Sequence, residues 1–180
     1  KITGDGKKAA LDMRLVDPNA EDHPGSKVNM AVANVYKIWK ENKDKKSTQA
    51  IFSDFGVPSE ANEKFNVYDD IKAKLIGMGV PAHEIAFIQD VGDSETKRMK
   101  LFERVNAGEV RVILGGTENL GTGVDIQQKL IAIHHLDAPW RPDMVEQRNG
   151  RGIRENNENK EVHIFQYVTE NTFDAYIFQA

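Results

Sequence analysis

The stretch EVRVILGGTENLGTGVDIQQKLIAIHHLD, Glu109–Asp137, decides the fold. Its first part, EVRVILGG, reads as a strand that runs into glycines. Its last part, LIAIHHLD, reads as a strand that ends on Asp137. Short apolar runs rich in β-branched residues and bounded by turn residues are strands of a buried sheet. The same grammar continues outward on both sides. TQAIFSDF, EIAFIQ and EVHIFQYV are three further strand candidates.

Helical patterns separate these strands. GSKVNMAVANVYKIWKEN is a helix in which Ser26 is placed to cap the first turn and Val28, Val32, Val35 and Trp39 recur at helical spacing. NEKFNVYDDIKAKLIGMG is a second, with Phe65, Tyr68, Ile71, Leu75 and Met78 on one side. Gly77, Gly79 and Pro81 supply its stop. DSETKRMKLFERVNAG is a third, capped by Ser94 and ended near Gly108. RPDMVEQRNGRGIR and NTFDAYIFQ complete the set. Strands alternating with helices imply an α/β fold with an open, largely parallel sheet covered on both faces. The charge run Lys43–Lys46 is a solvated turn, with nucleic-acid contact the weaker reading. There is no internal repeat and no low-complexity tract.

Size and composition bound the function. A chain of 180 residues fits one ordinary domain with a real core. No apolar run is long enough to span a bilayer. The start on Lys1, with no initiator Met and no apolar signal core, implies a piece of a longer polypeptide and no secretion. The absence of cysteine excludes disulfides and thiolate metal sites and fits a reducing cytoplasm. A net charge of −4 argues against a free-standing electrostatic nucleic-acid binder, so such contact should be local or shared with another domain. Residues 1–25 are the least regular part, an N-terminal arm or linker, and residues 26–180 form the domain.

Ligands of such sheets bind beyond the carboxyl ends of the strands. Both strands of the opening stretch should exit on one edge. Gly115, Gly116, Gly121 and Gly123 allow close backbone approach there, and neighbouring N–H groups suit phosphate oxygens. Asp125 is a short acceptor suited to a ribose hydroxyl. In the helix that follows, Gln147, Arg151 and Arg154 are spaced to share one face. A guanidinium offers phosphate oxygens a planar fork of donors. Two of them would neutralise charge on a phosphoryl group in transfer. The bland alternative is a polar helix face paired with Glu146, Glu155 or Glu158. Adjacent strand residues His134 and His135 point to opposite faces and share no metal, and His163 is isolated. Trp140, between two prolines, is a packing anchor for the arginine helix. Val124 and Ile126 belong to the core. No metal ligand set and no nucleophile–base pair stands out.

PWRPDMVEQRNGRGIR resembles the sixth motif of superfamily-two helicases and translocases, with the Pro-Trp-x-Pro lead-in and Glu-Gln-Arg closest to the Swi/Snf-type branch. GGTENLGTGVDIQ resembles the fifth motif and STQAIFSDF the fourth. GSKVNMAVANVYKIW is similar to the helix that opens the second lobe in Swi/Snf-type enzymes, and VTENTFDAYIF to their closing helix. A looser likeness, prompted by LIAIHHLDAPWRP, is to large bacterial proteins of mobile elements that join a DNA adenine methyltransferase to such a module.

The resemblance covers the chain from about Ser26 onward. It implies a RecA-like second lobe of an ATP-dependent DNA motor. It implies that Arg151 and Arg154 reach the ATP γ-phosphate and that Gln147 lines the same cleft. It places Asp125 and the adjoining Gly123 near the nucleotide, and Gly116 and Thr117 at the nucleic-acid backbone. After Arg154 the sequence departs from many relatives with ENNEN. GDGKK is not a P-loop, since Lys8 stands where Ser or Thr belongs, and no apolar strand ends in Asp-Glu. ATP and Mg2+ would therefore be held mainly by a first RecA-like lobe in the same full-length polypeptide, and this chain alone would be inactive. Two other classes stay open. One is a non-catalytic RecA-like interaction module, and the other a nucleotide-dependent transferase on a doubly wound sheet.

Overall fold

A computed structural model describes residues 2–59, 65–121, 124–150 and 152–179. The five expected strands are all present: β1 (Thr48–Phe52), β2 (Ile85–Phe87), β3 (Val112–Gly115), β4 (Leu130–His135) and β5 (His163–Gln166). They form one sheet in the order β2-β3-β1-β4-β5. Every pairing is parallel. Ala50 of the central strand lies in register with Ile113 on one side and Ile133 on the other. β1 is buried along its whole length, as a strand covered on both faces must be.

Helices α1 (Ile2–Leu11), α2 (Lys27–Glu41), α3 (Val67–Met78), α4 (Glu95–Asn106), α5 (Thr117–Gly121), α6 (Pro142–Asn149) and α7 (Phe173–Gln179) surround the sheet. The period-2 alternation of strand side chains makes two cores. Ile51, Val112 and Leu114 pack on α2 and α3 through Val28, Val35, Ile71 and Leu75. Ala50, Phe52, Ile113 and Ile133 pack on the opposite face with Leu101 and Val105 of α4. Val124 and Ile126 join that second core, as read from the sequence.

The caps explain where the helices start. Ser26 accepts the amide of Asn29 at 3.1 Å, and Ser94 accepts that of Lys97 at 3.5 Å. α3 starts later than its apolar stripe implied, because Asn66 caps it by accepting the amide of Asp69 at 2.8 Å. Phe65 therefore precedes the helix, and Met78 at its far end is exposed. Gly79 ends α3 with φ +110°, a left-handed conformation that glycine adopts without steric cost.

The N-terminal arm is more regular than its sequence implied. Its helix α1 buries Leu11 in the first core and Lys7 near the end of β4. Thr169 donates to the Ala10 carbonyl at 2.8 Å, tying the arm to the segment after β5.

The arginine helix is shorter than expected. α6 ends at Asn149, with Gly150 as its C-cap. The chain then turns back onto β4. An added Cβ at Gly152 would lie 2.9 Å from Val162 and 3.2 Å from Ile133, so only glycine fits this crossing. The ENNEN departure supplies the anchor. Asn157 donates to the Leu130 carbonyl at 2.8 Å, Asn159 to the Lys129 carbonyl at 3.0 Å, and the Glu158 amide to the Gln128 carbonyl at 2.8 Å. Arg154 thus sits on an anchored loop beyond the helix, and does not share a helical face with Gln147.

The two histidines of β4 do face opposite ways. His134 lies in a buried hydrogen-bond chain, in which Nε2 donates to Gln49 Oε1 at 2.9 Å and Nδ1 accepts the Tyr167 hydroxyl at 2.9 Å. Gln49 and Tyr167 fix that tautomer through their other bonds, to the Val35 carbonyl and from Asn34. His135 lies on the other face, against Phe52 and Asn149. Burial depresses the pKa of His134 to about 3, and burial with the nearby Arg148 charge depresses that of His135 to about 4.

Both histidines stay neutral in the fold, whereas the unfolded chain protonates them near the ordinary value of about 6.5. Their contribution is whole above that pH and is lost as pH falls from about 6.5 toward 4, at about 1.4 kcal/mol per pH unit for each ring. Asp137, whose carboxyl burial pushes up, works in the opposite direction at the acid end. Urea unfolding at pH 7 and pH 5 should show a loss of roughly 3–4 kcal/mol at the lower pH. Equal stabilities at the two values would contradict it.

Candidate functional site

The carboxyl ends of β1, β3 and β4 meet on one edge of the sheet, as expected for two of them. Asp54 follows β1, Thr117 follows β3 and Asp137 follows β4. One side chain from α6 ties the three exits together, and it is Arg148. Its guanidinium is fully buried. Nε donates to Thr117 Oγ1 at 2.9 Å, and Nη2 donates to Asp54 Oδ2 at 2.8 Å and Asp137 Oδ1 at 3.0 Å. Nη1 donates to the Asp137 carbonyl at 2.8 Å.

The acceptors are also bonded to one another's elements. Asp54 accepts the Thr117 amide at 2.6 Å and its hydroxyl at 2.8 Å. Asp137 Oδ2 accepts the amides of Asp54 at 2.6 Å and Phe55 at 3.1 Å, and the Ser53 hydroxyl at 3.2 Å. Tyr68 closes the far side by donating to the Ser53 carbonyl at 2.6 Å. Burial pushes the Asp137 carboxyl upward, while the Arg148 charge and the donated amides pull it down. A buried polar network of this kind is stable because its members are satisfied.

Sequence reading passed over Arg148 in favour of its neighbours. The available signal was indirect: two carboxylates at strand exits, Asp54 and Asp137, require a buried cation. Nothing local says which of the four arginines between Arg141 and Arg154 supplies it.

The residues singled out from the sequence fall around this hub in different settings. Thr117 is buried within it, so its amide and hydroxyl are engaged inside the protein. Gly116 packs beside Asp54, and an added Cβ there would lie 3.0 Å from Oδ1. Gly115 serves packing, since an added Cβ would lie 2.5 Å from Ile88 Cγ2. Gln147 is half-buried on α6. Asp125 is exposed and lines an open surface cleft along α4 with Arg98, Met99 and Phe102. Its carbonyl accepts Asn106 at 2.9 Å. Gly123 and Arg151 lie outside the described residues.

Arg154 is exposed. Nε donates to the Gly150 carbonyl at 3.1 Å and Nη1 reaches the Val124 carbonyl at 3.4 Å. No carboxylate pairs with it among the described residues, so the helix-face ion pairs of the bland alternative are not formed by this arginine. Its contact with Val124 joins the loop to the segment that carries Asp125. Trp140 is half-exposed instead of serving as a buried anchor, and the Lys7 ammonium lies 3.7 Å from its ring centroid. The arrangement thus offers one locked arginine that holds three strand exits and one exposed arginine on the loop after α6.

Comparison with known proteins agrees with this architecture. The family described as helicase conserved C-terminal domain matches residues 83–156. Over 98 residues the chain is 28% identical to the defense against restriction protein B of Escherichia phage P1, covering 44% of this chain and 4% of that protein. The fold is similar to the C-terminal part of the Fun30 ATPase domain, with a TM-score of 0.62 at 19% identity over 94% of this chain and 52% of that one. It is also similar to the DUF1998 helicase MrfA bound to DNA and AMPPNP, with a TM-score of 0.56 at 19% identity over 83% of this chain and 19% of that one. The chain spans about half or less of each of these proteins. No described helix is long and apolar enough to cross a membrane.

Proposed function

We propose that the chain, whose fold is RecA-like and whose residues 83–156 match the helicase conserved C-terminal domain, is the second motor lobe of an ATP-dependent DNA helicase or translocase of superfamily two. Residues 26–180 are the lobe, and residues 1–25 are an arm folded against it. Arg154, with Arg151, supplies positive charge to the γ-phosphate of an ATP whose Mg2+ and phosphates are held by a first lobe in the same polypeptide. Gln147 lines that cleft, and Asp125 with Gly123 lies at the nucleotide. Gly116 and Thr117 form the nucleic-acid side. With both polar groups of Thr117 engaged by Asp54, its part is to relay position, and the backbone around Gly116 makes the contact.

The observation that carries this reading is the state of Arg154. An exposed guanidinium on an anchored loop, unpaired with any described carboxylate, is suited to an incoming anion. DNA is the favoured nucleic acid because a protein of this fold is seen bound to DNA and AMPPNP. The Swi/Snf-type branch is supported by the sequence lead-in and by the likeness to the Fun30 domain. The phage relative fits a setting among large proteins of mobile elements, acting in the bacterial cytoplasm.

The test is ATP turnover by a polypeptide carrying this chain and a first lobe, with and without single- and double-stranded DNA. We expect DNA-stimulated, Mg2+-dependent turnover by the whole and none by the 180-residue chain, because phosphoryl transfer needs phosphate cradle, metal and arginines together. Robust hydrolysis by the 180-residue chain would contradict the proposal. A whole polypeptide that binds partners but never turns over ATP would point to the interaction module instead.

A further inference from the structure

The segment between β4 and α6 leaves the sheet while still buried. Leu136, Asp137 and Ala138 have exposures of 0%, 2% and 1%. Buried carbonyls require donors, and a strand that has run past its neighbours has lost them. Here three successive carbonyls are each met by a side-chain cation from a different helix. Lys27 of α2 donates to the Leu136 carbonyl at 3.3 Å, Arg148 of α6 to that of Asp137 at 2.8 Å, and Lys7 of α1 to that of Ala138 at 3.1 Å. Lys27 also pairs with Asp174 of α7. Lys7 lies over the Trp140 ring as well.

This clamp matters because α6 begins without a side-chain cap. Arg141, at the N-cap position, makes no capping bond, and its guanidinium pairs with Asp143 at 3.1 Å instead. The start of α6 is therefore held through the carbonyls before it. We propose that Lys7 is a positioning residue: the N-terminal arm, through Lys7, fixes the lead-in to α6 and so sets where the arginine loop after α6 stands. The arm is then part of the motor's working geometry and not a tether. This rests on the functional reading of Arg154 above.

Two measurements on Lys7→Met, which keeps the apolar stem and loses the donor, test it. In the 180-residue chain, amide hydrogen exchange over residues 137–149 should quicken by about 10-fold while α2 and α3 exchange as before. In the polypeptide with both lobes, kcat for ATP should fall about 10-fold with KM changed less than about twofold, and Lys7→Arg should restore most of it. Should Lys7→Met fail to fold by thermal melting, Lys7→Gln, which keeps a neutral donor on a shorter stem, takes its place.

Faster exchange confined to α1 would overturn the inference. Unchanged turnover in Lys7→Met beside a large loss in Arg154→Ala would overturn it too. Faster exchange at 137–149 with no turnover loss in either variant would support the clamp and overturn the functional reading on which its role in turnover depends.

Discussion

Arg154→Ala, in a polypeptide carrying both lobes, is expected to cut DNA-stimulated ATP turnover by about 10³-fold or more while the lobe stays folded. An arginine given to a phosphoryl transition state is worth about 10³–10⁵ in rate, or roughly 4–7 kcal/mol of barrier. An exposed arginine in a surface role is worth about 0–1 kcal/mol. The two roles of the same side chain therefore differ by orders of magnitude in outcome. Arg154 contributes little to stability, since it is exposed and its described bonds go to two carbonyls, with no carboxylate partner among the described residues. Arg154→Lys should rescue little, because an ammonium keeps the charge and loses the planar fork. ATP affinity should fall far less than turnover, as the arginine acts chiefly on developing charge. Turnover, ATP affinity and thermal melting measured together check this. Near-normal turnover with normal melting would reduce Arg154 to a solvated loop residue.

Arg148→Ala should do the reverse and strike stability first. Removing this buried cation leaves Asp54 and Asp137 facing each other without the charge that bonds to both of them directly. Breaking a buried pair in this way costs roughly 3–5 kcal/mol. For a chain of this size that corresponds to a fall in Tm of about 6–20 °C. Arg148→Lys should recover little, since one ammonium cannot serve Thr117, Asp54 and both acceptors of Asp137 at once. Arg148→Met combined with Asp137→Asn should melt above Arg148→Ala, because the stranded charge is gone and the volume is kept. Urea and thermal unfolding of the 180-residue chain measure all three. A loss under about 1 kcal/mol in Arg148→Ala would mean that the network relaxes or hydrates at little cost.

These opposite expectations, for arginines six positions apart, mark the division between the two levels of information. The sequence determined by itself whatever depends on local pattern. The apolar runs of β1, β3 and β4 are almost wholly buried, and their alternation with helical patterns made the parallel sheet legible. Ser26, Ser94 and Gly79 mark helix ends because capping is a property of a few adjacent residues. The arginine–glycine order after β4 was legible as a motif and carried the likeness to helicases.

What only the tertiary structure decided is where the described residues of that motif sit. Helical spacing placed Gln147, Arg151 and Arg154 on one face, but α6 stops at Asn149. It stops because Gly152 crosses β4 closely and the asparagines after Arg154 bond to carbonyls some thirty positions earlier. Arg148 is buried and Arg154 exposed for the same kind of reason. A guanidinium goes where desolvated carboxylates balance it, and Asp54 lies 94 positions away in the chain. The role of Lys7 was the least legible. Its partner is a carbonyl 131 positions away, and backbone carbonyls carry no residue signature that a sequence displays.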